Sequence, residues 1–471
     1  MLHSLLSYGD NLHYEKFSNG SVKCIEDEVP FGLPDGWAWV RLGNLSAAIQ
    51  YGLSNSAEPQ GTHRLLRITD IQDGKVDWNA VPFTTVNDPE AYLLKTGDIV
   101  FARTGATVGK SFLITETPYP SVYASYLIRI RLLGSLSPEY IYQFFDSACY
   151  WSQITDKSVG VGQPNCNGTS LKELFIPLPP ISEQLRIVPT AQALLAYVAK
   201  IDAEKKSLLS IIMATKSKIL DLAIRGQLIP QDPNDEPASV LLERIRAEKE
   251  ELIKQGKIKR DKKESVIFRG EDNSYYLNNG QTTVDINDDL PFDIPDSWRW
   301  VRLKDVFIIN PRNKLDDDLD VSFIPMPLID DGYSGKHATE VRHWKEVKNG
   351  FTHFAEGDVG VAKITPCFEN RKSTVFENLT NGYGAGTTEL HVLRPFGNNI
   401  FVQYLLAYIK SDYFVEKGKQ TFTGDVGQQR ISKAYVESAY FPLPPVKEQE
   451  RIVQQIGIIF EFLNMIMDAL S

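Results

Sequence analysis

Residues 97–113, GDIVFARTGATVGKSFL, carry the residue types of a phosphate-binding loop: two glycines, then Lys110 and Ser111. Such a loop needs Gly, four residues, then Gly-Lys-Ser/Thr, and it must open a helix whose N-terminus faces the anion. Here three residues separate Gly105 from Gly109, Thr104 stands where the first glycine belongs, and Phe112–Thr115 is β-rich. The stretch reads instead as a Gly-rich turn between two strands that can carry Arg103, Thr104 and Lys110 towards phosphate or base edges. Other chemistry is thinly supported. The four cysteines, Cys24, Cys149, Cys166 and Cys367, form no CxxC pair and read as reduced, buried thiols, and neither their spacing nor that of the histidines suggests zinc. A metal-dependent nuclease could be sought in Asp35, Asp73 and Lys75, but no Asp-x-Lys recurs near residue 335 in the second half.

The elements that must position these residues follow from length and pattern. A chain of 471 residues expects about three domains. With 42% hydrophobic and 11% aromatic residues, packed cores are within reach. No run approaches the ~18 apolar residues that span a bilayer, and the N-terminus lacks a basic start and apolar stretch. A cytoplasmic, non-membrane protein is expected. The net charge of −10 argues weakly against nucleic acid. Residues 31–180 hold 11 Lys+Arg and 13 Asp+Glu, and residues 291–445 hold 18 and 20, so each carries only −2.

The chain is written twice. LPDGWAWVRLG (33–43) returns as IPDSWRWVRLK (294–304), LKTGDIVFAR (94–103) as FAEGDVGVAK (354–363), and FIPLPPISEQLRIV (175–188) as YFPLPPVKEQERIV (440–453). The offsets are 261, 260 and 265 residues, a unit longer than solenoid or propeller repeats. Edges match while interiors, such as 46–93 against 306–353, diverge. Each copy begins with a mixed segment of short alternating runs such as SYLIRIRL (125–132), with helices expected over 138–151 and 399–418.

A helix should open directly after each Pro-Leu-Pro-Pro, where proline is tolerated. In the first copy Ile187, Ala191, Leu194, Val198, Ile201, Leu208, Ile212, Ile219 and Leu222 keep 4,3 steps that only Lys205 and Thr215 interrupt. In the second, Ile452, Ile456, Ile459, Leu463, Ile466 and Leu470 do the same. Both read as coiled-coil seams. Residues 240–264 read as a charged helix whose basic end, KIKRDKK (257–263), is a solvated terminus.

The expected organisation is an N-terminal polar segment (1–29), a first globular head (30–180), a central heptad helix plus charged helix (181–264), a polar linker (265–290), a second head (291–445) and a short C-terminal helix (446–471). Two similar heads on paired antiparallel helices suit a two-part target such as DNA, whose half-sites recur at ~34 Å. Unlike interiors suit heads that read unlike sequences.

On Pro-Asp-x-Trp-x-Trp-Val-Arg-Leu (34–42, 295–303), Gly-Asp-Ile-Val-Phe-Ala-Arg-Thr-Gly (97–105) and Pro-Leu-Pro-Pro-x-x-Glu-Gln-x-Arg-Ile-Val (177–188, 442–453), the chain resembles the specificity subunit of type I restriction-modification enzymes. The resemblance implies a mixed α/β fold with two target recognition domains and long heptad helices in an antiparallel coiled coil, related by a pseudo-two-fold. It implies that each domain reads half of a bipartite double-stranded DNA target, and that the helices set the spacer and dock two modification subunits, joined by restriction subunits. S-adenosylmethionine, ATP and Mg would then belong to those partners, and this chain would be non-catalytic. Its only Pro-Pro pairs, 179–180 and 444–445, follow leucine, unlike the Asn/Asp-Pro-Pro-Tyr/Phe of adenine methyltransferases. The second heptad helix stops at Ser471, level with Lys206 of the first, so a truncated or recombined member with impaired assembly is an alternative. A coiled-coil scaffold without a nucleic-acid role is another.

Candidate contacts are Arg103, Thr104, Lys110, Gln163 and Asn165 in the first head, and Lys363, Arg371, Lys372, Gln428, Gln429 and Arg430 in the second. Gln and Asn pair with adenine, and Arg with guanine. Trp37, Trp39, Trp298 and Trp300 could stack on bases, but their place inside the repeated motif favours core anchors.

Overall fold

The computed structural model describes residues 4–7, 12–17, 19–72, 74–157, 165–260, 265–397, 399–425 and 427–470. It divides into two compact units, Met1–Ile201 and Asp202–Ser471. Both are mixed α/β, as expected.

Each unit is built on a four-stranded antiparallel sheet of the same order. In the first it runs Ser111–Leu113, Ile99–Ala102, Leu127–Leu132, Ser46–Tyr51; in the second, Ser373–Val375, Val359–Ala362, Leu390–Pro395, Phe307–Ile309. Each also holds a second sheet that contains a parallel pair, His63–Leu66 with Ser121–Tyr123 in a three-stranded sheet and Asp320–Ile324 with Tyr383–Gly386 in a four-stranded one. The divergent interiors therefore share the first sheet and the parallel pair, because period-two apolar runs specify the strands while exposed positions drift.

The matching edges have a physical reason. The two frame motifs are strand partners: Ala38–Arg41 pairs with Phe175–Leu178, and Arg299–Arg302 with Tyr440–Leu443. Trp39 lies opposite Pro177 and Trp300 opposite Pro442. In these two-stranded ribbons each strand has a free edge, so a proline is tolerated. Trp39, Trp298 and Trp300 are at most 1% exposed, which makes them core anchors. Gln184 and Gln449 close each frame. Gln184 Nε2 donates to the Pro179 carbonyl while its Oε1 accepts from Ser137 N; Gln449 does the same with Pro444 and Phe401.

Helices begin directly after each Pro-Pro, as the sequence predicts: Ile181–Ile224 and Val446–Leu470. The first runs 44 residues without interruption, ~66 Å at 1.5 Å per residue. Its internal Pro189 lies beyond the first turn and removes the bond its N–H would make to the Leu185 carbonyl, yet the helix continues through it. The seam divides by burial. Leu194, Val198, Ile201 and Leu208 are 38–62% exposed, while Ile212 and Ile219 are 2% and 7% exposed. In the second unit Ile219 packs with Ile452 and Ile456 of the C-terminal helix in one core. Ile459 and Leu463 pack against that core, whereas Ile466 is 45% exposed. Lys216 reaches Asn464 and Met467, and Gln231 reaches Glu448; rising numbers meet falling ones, so the pairing is antiparallel. Val446–Leu470 is also long and apolar enough, by length and composition alone, to cross a membrane. The sequence reading missed this because Glu461 and Asp468 break the apolar run.

Several expectations need correction. Residues 265–290 are an antiparallel meander, Val266–Arg269, Tyr275–Asn278 and Thr283–Asp285, rather than a linker. The N-terminal segment holds its counterpart, Ser4–Ser7, His13–Lys16 and Val22–Cys24. The central helices are no domain of their own: Ile219–Ile224 and the charged helix, Ala238–Lys254, share the second head's core. Each expected single helix is two, Pro138–Phe144 with Ala148–Lys157 and Val402–Ile409 with Asp412–Lys419. The break comes where Ser147 and Ser411 accept from Tyr150 N and Phe414 N, a local cap that competes with continuation. Among the cysteines only Cys166 is buried; Cys24 is exposed.

Candidate nucleic-acid interface

The Gly-rich stretch that opened the question is a turn in a β-hairpin. Gly105 and Gly109 have φ of +72° and +89°, which glycine adopts without strain. Ser111 then starts a strand rather than a helix, so the amides needed to cradle a phosphate do not converge. A Cβ on Gly109 would sit 2.6 Å from the Trp151 ring.

In both heads this turn is tied to the loop that precedes Pro-Leu-Pro-Pro. In the first, Arg103 N donates to the Tyr126 carbonyl, Cys166 N donates to the Arg103 carbonyl, and Thr104 bridges Asn165. In the second, Lys363 N donates to Glu389, Ile431 N donates to Lys363, and Ile364 bridges Arg430. The main-chain brace is the same, so Arg103, Tyr126 and Asn165 correspond to Lys363, Glu389 and Arg430. Residues 62 positions apart in the first head (Arg103, Asn165) and 67 apart in the second (Lys363, Arg430) are thus brought together.

The side chains on the brace differ in chemistry. In the first head the Arg103 guanidinium stacks 4.8 Å from the Tyr51 ring, whose hydroxyl accepts from Gly168 N at 2.8 Å. Tyr126 is 64% exposed and Lys110 is exposed. Cys166 lies beneath, its thiol pushed up to about 11 by burial. In the second head Arg430 grips Glu389 through two bonds of 2.9 Å, and its Nη1 donates to the Gln428 carbonyl at 2.8 Å. That guanidinium holds the Glu389 carboxyl below the usual range. Gln428 is exposed and Gln429 half-buried, with Gln429 N donating to Thr365 Oγ1.

Two candidates sit apart from this surface. Arg371 Nε donates to the Lys410 carbonyl and its Nη2 pairs with Asp412. Lys372, the counterpart of Lys110 by its bond to Ala362 N, donates to the Ile329 carbonyl at 2.8 Å. Both side chains are committed within the chain. Gln163 lies outside the described residues, as does the end of the basic run, 261–263. Sequence reasoning missed Tyr51, Tyr126 and Glu389, which flank strands whose neighbours diverge between the copies; only the observed brace aligns them.

At the far end of the same strand pair from each brace lies a matched ion pair. Arg131 donates to both oxygens of Asp98 at 2.7 and 2.6 Å, and Arg394 to both of Asp358 at 2.8 and 2.7 Å. Burial pushes the Asp358 carboxyl up, and the Arg394 guanidinium opposes it.

Comparisons with known proteins agree with this architecture. A family model described as "Type I restriction modification DNA specificity domain" matches residues 34–211 and 295–467. The chain is 48% identical over 243 residues to the type I restriction enzyme EcoAI specificity subunit of Escherichia coli, covering 51% of this chain and 38% of that one. It is 46% identical to the EcoEI specificity subunit of Escherichia coli, with the same coverage. The match thus spans less than two fifths of these relatives' length. The fold is shared with the HsdS subunit from Thermoanaerobacter tengcongensis, at a TM-score of 0.54, 19% identity and 94% coverage of both chains. With both copies of the repeat matched, the chain belongs to the family of type I restriction-modification DNA specificity domains.

Proposed function

We propose that the chain is the DNA sequence-recognition subunit of a type I restriction-modification system, in which each head reads one half of a bipartite double-stranded target. One observation carries this reading: the two heads repeat one backbone brace and mount different hydrogen-bonding side chains on it. A framework that stays while its exposed polar groups change suits two different base sequences. Lys110 is the exposed candidate for a phosphate contact in the first head. The long helix supplies a rigid spacer, and its exposed Leu194, Val198 and Ile201 suit docking of modification subunits. Catalysis, with S-adenosylmethionine, ATP and Mg, belongs in this reading to those partners and to restriction subunits.

The test is to purify the chain with its methyltransferase partner and map methylated adenines on random-sequence DNA. The expected result is a two-part motif with a fixed gap; methylation without one counts against the reading. A scaffold with no nucleic-acid role predicts no DNA affinity, whereas a reader of phosphates and bases weakens steeply with salt.

A further inference from the structure

Resting on that reading, we infer that Arg430, on the brace of the second head, sets a guanine in one half of the target, and that Glu389 is its positioning residue.

The argument begins with equivalence. Asn165 and Arg430 occupy the same place, each bridged to the residue that follows the braced Arg103 or Lys363. The main chain fixes both, so only the side chain distinguishes the heads there. An arginine presents paired N–H groups that match guanine O6 and N7, while a carboxamide offers the donor and acceptor that match adenine N7 and N6.

In the second head the arginine is held ready. Its five N–H groups are counted simply: Nε and one on Nη2 go to Glu389, one on Nη1 goes to the Gln428 carbonyl. One N–H remains on each terminal nitrogen. Clasped on one side, the side chain has little rotamer freedom left to lose when it meets a base. The half-exposed pair, 38% for Arg430 and 26% for Glu389, stays in reach of a ligand.

In the first head the same two positions carry Tyr126 and Asn165. No carboxylate stands at 126, and Asn165 Oδ1 is buried with no hydrogen-bond partner among the described residues. That acceptor is closed to a base edge, so the clasped reader belongs to the second head.

The experiment selects bound sequences from random double-stranded DNA with the full chain and its methyltransferase partner, for the parent, Arg430→Lys, Glu389→Gln, and the double variant Tyr126→Glu, Asn165→Arg. The parent should show a two-part motif. Arg430→Lys keeps the charge and loses the paired donors, so preference for one guanine in one half should fall about tenfold or more. Glu389→Gln should weaken that same guanine while the other half and the melting temperature hold; a merely structural role would lower both halves together. The double variant, which builds the same clasp on the first head's brace, should add a guanine preference in the opposite half only. A two-part motif unchanged in all variants, or changed in both halves at once, overturns this assignment while leaving the two-head reading intact. Absence of any motif in the parent overturns the reading itself and the assignment with it.

Discussion

Asp98 and Asp358 are matched in the two heads: each side chain is only 2% exposed and is clasped by one arginine. Removing the carboxylate strands a half-buried guanidinium. Asp358→Ala should cost about 2–4 kcal/mol, below the full value for a buried pair because the Arg394 side chain keeps 26% exposure. Urea unfolding monitored by tryptophan fluorescence measures it. A second residue adds a pH dependence. His391, 5% exposed, donates from Nε2 to the Ile431 carbonyl, and its Nδ1 lies 3.3 Å from Asn310 Nδ2. Burial holds its pKa below the ordinary imidazole value of 6.5, so the folded chain binds its proton less readily than the unfolded one. Its contribution is full above pH 6.5 and is lost as pH falls below it. The melting temperature should fall from pH 7 to pH 5.5, and His391→Gln should flatten that fall; His353, lowered by burial too, leaves a residue of it.

At the scale of elements, the long helix is one continuous piece with two environments. Ile219→Ala opens a cavity in the second unit's core and should cost about 2–5 kcal/mol. Leu194→Ala, 60% exposed, should cost less than about 0.5 kcal/mol in the isolated chain. Denaturant midpoints of the two variants check the contrast. This scale also marks what was legible beforehand. The heptad steps gave the helices because burial and period coincide there. The repeated Trp and Pro motifs announced a frame, yet their direct pairing, Trp39 to Pro177 and Trp300 to Pro442, was hidden because partners ~140 residues apart leave no local trace. The helix breaks at Ser147 and Ser411 were hidden for the opposite reason: one hydroxyl outweighs an apolar pattern that runs straight through it. The candidate loops were chosen by residue type alone, and their convergence, with Tyr126 and Glu389, depends on strand register that composition does not encode.

For the whole molecule, an overall charge of −10 makes affinity depend on a few local cations. Lys110→Ala should weaken binding to all duplex sequences alike and reduce the slope of log affinity against log salt by about 1. Fluorescence anisotropy on a target and a scrambled duplex measures both; a loss confined to the target would make Lys110 a base contact instead.

The brace is knit from main-chain amides and carbonyls, which every residue but proline supplies alike. What the heads display at 126, 165, 389 and 430 can therefore turn over without unsettling the scaffold that displays it. Innovation in such a protein is cheap where it faces outward, since the forces that keep the fold and the groups that choose a sequence reside in different atoms.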